Sequence, residues 1–119
     1  MTNDAAAAAV ANYVAAWGAP DEDERRTMLE RAWTDDGVYR DPTAVVEGRE
    51  ALVAHIGGFH GARVVTTSGV DAYDGYLRFA WRMLNADGAV TPEGIDFGEL
   101  APDARLKRIV GFFGPLPAP

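Results

Sequence analysis

The chain contains no cysteine, which excludes disulfides, thiolate metal centres and a cysteine nucleophile. Basic residues are scarce: eleven Lys and Arg stand against eighteen Asp and Glu, for a net charge of −7. They are scattered, and only "RLKR" (Arg105 to Arg108) forms a cluster. A nucleic-acid binder needs a basic face to neutralise phosphates, so nucleic acid and anionic membranes are not expected as partners. No run approaches the ~18 apolar residues of a membrane span. The opening "MTNDAAAAAVANYVAAW" also lacks the basic start of a signal peptide, so a cytoplasmic protein is expected. The two histidines, His55 and His60, are five apart and cannot stack as an i, i+4 metal pair. No metal site is expected.

What remains is ordinary globular material: 48% hydrophobic and 24% charged residues, the balance of a packed domain. At 119 residues one domain, spanning 1–119, can bury a core without covalent staples. Thr2, Asn3 and Asp4 offer helix caps. In the alanine-rich run that follows, Val10, Tyr13, Val14 and Trp17 recur at helical spacing, until Gly18 and Pro20 stop them. Asp21, with Glu24 three residues on, opens a second helix, expected to run to about Thr34 with Met28, Leu29, Ala32 and Trp33 inward. "DDG" (Asp35 to Gly37) reads as a turn and Val38 to Asp41 as a short strand. Gly48 opens a third helix, with Leu52, Ile56 and Phe59 on one face. His60, near its end, suits the helix dipole.

After Gly61 the period changes to two. "RVVTTSGVDAY" reads as one strand, "DG" (Asp74, Gly75) as a hairpin turn and "YLRFAWRML" as its partner. "NADG" turns into "AVTPEGIDFGEL", and "APDA" into "RLKRIVGFF". Three helices around a short strand, followed by a four-strand meander, make an α+β domain.

Taken in order, "YVAAW", "TDDGVYRDP", "GREAL", "RFAW", "GIDF" and "RIVGFFG" resemble the nuclear-transport-factor-2-like superfamily, particularly its SnoaL-like branch. The resemblance covers nearly the whole chain. It implies a cone: a strongly bent, mostly antiparallel sheet wrapped around three N-terminal helices, with an apolar central cavity open at one end. Relatives of that kind include ketosteroid isomerases, polyketide cyclases, limonene-epoxide hydrolases, dehydratases and binders without chemistry, so the fold says where to look rather than what happens there.

Strand parity sorts the side chains. Leu77, Phe79, Trp81 and Met83 share one face of their strand, and Tyr76, Arg78, Ala80 and Arg82 the other. The apolar set should face the helices. On the last strand Ile109, Gly111 and Phe113 oppose Leu106, Arg108, Val110 and Phe112. Both sets are partly apolar, so this strand is expected to be covered on both sides, by a homodimer through the outer sheet face. The expected cavity walls are Trp17, Trp33, Tyr39, Ile56, Phe59, Phe79, Trp81, Met83, Ile109 and Phe113.

Three polar groups sit where burial would be costly: Tyr13 on the inward face of the first helix, Asp41 at a strand end, and Asp96 in mid-strand, where Asp is depleted. Asp41 before Pro42 is either a turn opener or a carboxylate delivered to a pocket floor. The resemblance to ketosteroid isomerases carries roles onto them, with Asp41 moving the proton and Tyr13 and Asp96 donating to a developing oxyanion. His55 either enters the pocket as a proton relay or is a partly exposed helix residue. "YLRFAWR" has no Asp beside Arg78, which disfavours the epoxide-hydrolase mechanism. The reading that results is a cofactor-independent isomerase or cyclase acting on a small hydrophobic carbonyl compound. The alternatives are a protein that binds a small apolar ligand without chemistry, and a dimerisation domain.

Overall fold

The computed structural model describes residues 3–59, 61–87 and 91–119. Thr2, His60, the last residue of the expected "NADG" turn and the first two of the strand expected after it lie outside them. Helices α1 (Asn3–Gly18), α2 (Glu22–Ala32) and α3 (Arg49–Gly57) pack on one mixed sheet of seven strands. The strands are β1 (Trp33–Asp41), β2 (Ala44–Glu47), β3 (Arg63–Thr66), β4 (Asp71–Tyr73), β5 (Tyr76–Leu84), β6 (Glu93–Leu100) and β7 (Leu106–Phe113). They run in the order β2-β1-β7-β6-β5-β3, with β4 also paired to β5. This is the expected α+β cone. Among the described residues only β1 with β7 is parallel.

Helix α2 begins for a local reason. The Asp21 carboxylate accepts the Glu24 N–H at 3.0 Å and caps α2, satisfying one of the donors a helix start leaves open. Helix α1 turns Ala6, Ala9, Val10, Tyr13, Ala16 and Trp17 inward. The small alanines let its axis lie close to the sheet, while the two aromatics reach the interior.

Four expectations need correcting. First, α2 stops at Ala32 and Trp33 already belongs to β1. "DDG" is therefore no turn between elements but the bulged start of that strand. Against β7, Trp33 pairs with Leu106 while Val38 pairs with Arg108, so five steps on β1 oppose two on β7. Such a bulge bends the sheet. Gly37 makes it possible, because a Cβ there would lie 2.5 Å from the Trp33 indole nitrogen. Second, "AVVE" after the Asp-Pro turn is a strand, β2, pairing back on β1 from Asp41↔Ala44 to Val38↔Glu47. Third, the strand expected over 63–73 is two. Between them the Ser68 hydroxyl accepts the Ala80 N–H at 2.8 Å, replacing a backbone acceptor where the chain leaves the ladder. Fourth, Phe59 falls beyond α3 and is 39% exposed.

The β4–β5 hairpin forms as expected, with Asp74 and Gly75 both at positive φ (52° and 80°), the geometry of a two-residue turn that matches strand twist. Leu77, Phe79 and Trp81 point inward and Arg78 and Arg82 outward, as parity required. On β7, Ile109 and Gly111 are buried but Phe112 is 61% exposed, so within this chain the strand is covered on one side only. No described helix is long and apolar enough to cross a membrane.

Candidate functional site

Between α1, the loop after α3 and the concave face of the sheet lies a pocket of about 240 Å³. Its walls are Trp17, Phe59, Val64, Trp81, Met83, Pro92 and Phe113, and its polar groups are Tyr13, Tyr39, Asp41, Thr43 and Asp96. The size is below the ~300 Å³ at which drug-sized ligand sites begin, so it suits a small ligand.

Nine of the residues expected at the site therefore meet there: Tyr13, Trp17, Tyr39, Asp41, Phe59, Trp81, Met83, Asp96 and Phe113. Five do not line it. Trp33, fully buried, stacks on the Tyr13 ring at 5.6 Å between centroids and supports it from behind. Phe79 and Ile109 are closed into the core, at 2% and 0% exposure. Ile56 faces a different depression. His55 packs among the rings of Trp17, Tyr39 and Phe59 at 5.4–6.1 Å, behind the wall rather than within it, and its buried Nε2 has no partner among the described residues. Thr43, Val64 and Pro92 were not foreseen. An Asp-x-Thr turn was the available signal for Thr43, since a hydroxyl two residues beyond an Asx-turn carboxylate falls within its reach.

Asp41 satisfies both of its sequence readings. Its Oδ1 accepts the Thr43 backbone N–H at 2.7 Å and the Thr43 hydroxyl at 2.8 Å, closing the turn. Its Oδ2 accepts the Tyr39 hydroxyl at 2.6 Å, and the residue lines the pocket. Burial works against the anion, but the hydroxyls of Tyr39 and Thr43 and the N–H groups of Thr43 and Ala44 outweigh it. The Asp41 carboxyl is held below its ordinary value.

Asp96 is the opposite case. It sits in mid-β6, 6% exposed. Burial pushes its carboxyl up to about 7; the Trp81 side chain opposes this and the Asp41 charge adds to it. The buried Trp81 Nε1–H completes no hydrogen bond among the described residues. Burial also raises the Tyr13 phenol well above its ordinary value, as do the charges of Asp96, Tyr39 and Asp41, with only Trp17 opposing. Tyr13 is thus a neutral donor at any physiological pH.

Gly111 brings the two carboxylates together. It pairs with Asp96 across the β6–β7 ladder. A Cβ on it would lie 2.9 Å from Asp96 Oδ1 and 3.5 Å from the Asp41 Cβ. Without a side chain, β7 leaves a gap through which the end of β1 and the middle of β6 share one polar patch.

No family model matches the sequence, and no curated protein matches it either. Solved structures do. A SnoaL-like family protein from Agrobacterium tumefaciens, an isomerase candidate, is 31% identical with a TM-score of 0.81, over 90% of this chain and 95% of its own. The chain belongs to the SnoaL-like family. Two further neighbours of this SnoaL-like protein bear on the fold alone. A ketosteroid isomerase candidate from Kribbella flavida is 16% identical (TM-score 0.75, 98% of this chain and 82% of its own). An epoxide hydrolase of Mycobacterium tuberculosis is also 16% identical (0.72, 93% and 84%).

Proposed function

We propose that this SnoaL-like protein is a cofactor-independent isomerase or cyclase that moves a proton next to the carbonyl of a small hydrophobic compound. The observation that carries this reading is the pair Asp41 and Asp96. The two carboxyls share one pocket, and their environments drive their pKa values apart. Pairs separated in this way mark an acid and a base. At neutral pH Asp41 is ionised and serves as the base. Asp96 retains a substantial protonated fraction and, with Tyr13, donates hydrogen bonds to the oxygen on which negative charge develops. Tyr39 and Thr43 hold the Asp41 carboxylate in place and temper its basicity. Arg78 is 73% exposed at its side chain and paired with Asp71 on the outer sheet face, which speaks against epoxide hydrolysis through that arginine.

Isomerisation of a β,γ-unsaturated ketone, followed through the conjugated product, tests the reaction. Asp41→Asn should lower kcat by about 10²–10⁴-fold, the usual share of general acid–base catalysis, while ligand binding survives; unchanged turnover rejects the assignment. Binding of 2-naphthol, a flat phenol, separates the alternatives. Affinity that falls as pH rises through about 7 supports the oxyanion site. Affinity independent of pH supports a carrier, and no binding supports a domain with a filled interior.

A second copy of this chain is the proposed partner for the outer sheet face. Ile95 and Phe112 are cross-strand neighbours there, 42% and 61% exposed, beside Phe97 and Val110. Ion pairs of both signs surround them: Arg82 with Glu93, and Arg108 with Glu99. A patch that carries its own complementary charges suits a two-fold contact. Light scattering at micromolar concentration should give a dimer mass, and a monomer mass for Phe112→Glu.

A further inference from the structure

A second depression, of about 420 Å³, opens on the far side of Trp17 and Phe59. It lies where the end of α1, the start of α2 and the end of α3 converge on β3. Arg25 forms its floor and Arg63 one wall. Arg25 is only 8% exposed. Its Nη1 donates to Val53 O at 3.3 Å, and its Nη2 to Ala19 O at 3.2 Å and Pro20 O at 3.5 Å. Its Nε–H is buried without a partner among the described residues. Arg26, Arg78, Arg82, Arg105 and Arg108 form ion pairs; among the described residues Arg25 and Arg63 form none, as is also true of Arg31, Arg40 and Arg49, but of these five only Arg25 is buried.

A buried guanidinium without a carboxylate is costly, because carbonyl dipoles replace water only in part. A structural staple between α1, α2 and α3 accounts for the Nη contacts. It leaves unexplained the idle Nε–H, the open space kept beside a buried cation, and the second unpaired arginine on the same space. Gly57, which also lines the depression, makes room for the guanidinium: a Cβ on it would lie 2.9 Å from Arg25 Nη1. The rings of Trp17 and Phe59, 5.3 Å apart, belong to the walls of both pockets, so an elongated molecule passing Phe59 would touch both.

We propose that this second pocket binds the anionic end, a carboxylate or phosphate, of the same small molecule whose apolar body fills the first. The inference rests on the first pocket being a ligand site, as proposed above. Arg25 supplies a desolvated charge and Arg63 an exposed one. The substrate class is thereby narrowed from hydrophobic carbonyl compounds to amphipathic ones that carry an acid group.

The test uses naphthylacetate, naphthylbutanoate and naphthylhexanoate, each against its methyl ester, with binding followed by Trp fluorescence and calorimetry. At least one acid should bind about tenfold or more tightly than its ester, the scale of a charge-assisted hydrogen bond. Arg63→Gln should cut that preference by up to about fivefold, as for an exposed ion pair, and leave ester affinity unchanged. Arg25→Gln should abolish the preference, provided its circular dichroism matches wild type; the Arg63 variant decides the matter if it does not. Competition by inorganic phosphate rather than acetate identifies a phosphate-bearing ligand, and the reverse a carboxylate. Acids and esters of equal affinity, or a preference that survives Arg63→Gln and a folded Arg25→Gln, overturn the anion site and leave the apolar pocket intact. Binding of neither series overturns the apolar pocket itself, and the anion site with it.

Discussion

Asp41 and Asp96 are the same residue type in one pocket, yet their surroundings drive their pKa values in opposite directions. Asp41 ends an edge hairpin, half-buried, with three donated hydrogen bonds from Tyr39 and Thr43. Asp96 lies in the centre of the sheet, 6% exposed, beside an indole N–H that completes no bond among the described residues. Donors favour an anion and burial disfavours it. At the hairpin the donors win, whereas in mid-sheet desolvation does. Depth in the fold, with the donors available at that depth, is what sets the charge of each.

The most forceful way to break this contrast is Asp96→Asn, which keeps the shape and removes the charge. The Asp96 carboxyl is raised from 3.8 to about 7 in the folded protein, so the folded state holds the proton more tightly than the unfolded chain. Its contribution to stability is complete below about 4 and is lost as pH rises through about 7. Three units correspond to a loss on the order of 4 kcal/mol. Urea denaturation across that range should show the decline in the wild type and a flatter profile in Asp96→Asn. Equal slopes would mean that Asp96 is not desolvated.

Gly111→Ala tests the gap between the two groups. The added methyl would meet Asp96 Oδ1 at 2.9 Å, so the carboxyl must move. Overpacking of this kind costs about 1–3 kcal/mol, readable as a lower denaturation midpoint. The Asp96 titration, followed by carboxyl NMR, should shift with it.

Tyr39→Phe gives the smallest effect and sharpens the other half of the comparison. It removes one donor from Asp41, whose carboxyl should rise toward its ordinary value. The acid limb of the pH–rate profile should then move up, while the limb near 7, which belongs to Asp96, stays in place.

Much of the site was legible in the residues. The alternation of "YLRFAWRML" oriented Leu77, Phe79, Trp81 and Met83, because a strand has only two faces. Asp96 stood out as a carboxylate in an apolar strand, and Asp41 as the carboxylate of an Asp-Pro turn. What could not be read is which inward aromatics leave a space and which fill one. Trp33, Phe79 and Ile109 were expected inward like the true wall residues but are closed into the core cluster. β2 was missed because four residues carry too little periodicity to signal a strand. Arg25 was invisible in "EDERRTMLERA" because only Met28, Leu29 and Ala32 read as the inward face and the charged residues as the solvated one.

Local chemistry therefore determined much of the elements: where helices start, which face of β5 is apolar, and where a carboxylate must be accommodated. Those outcomes depend on neighbours a few residues away, and side-chain sterics and backbone hydrogen bonding decide them at that range. Tertiary structure alone decided the parallel β1–β7 pairing, the approach of Asp41 to Asp96 across Gly111, and the unpaired Arg25 beside open space. Each of these depends on how far a group lies from water and from charges remote in the chain. That distance exists only once the sheet has closed around the helices.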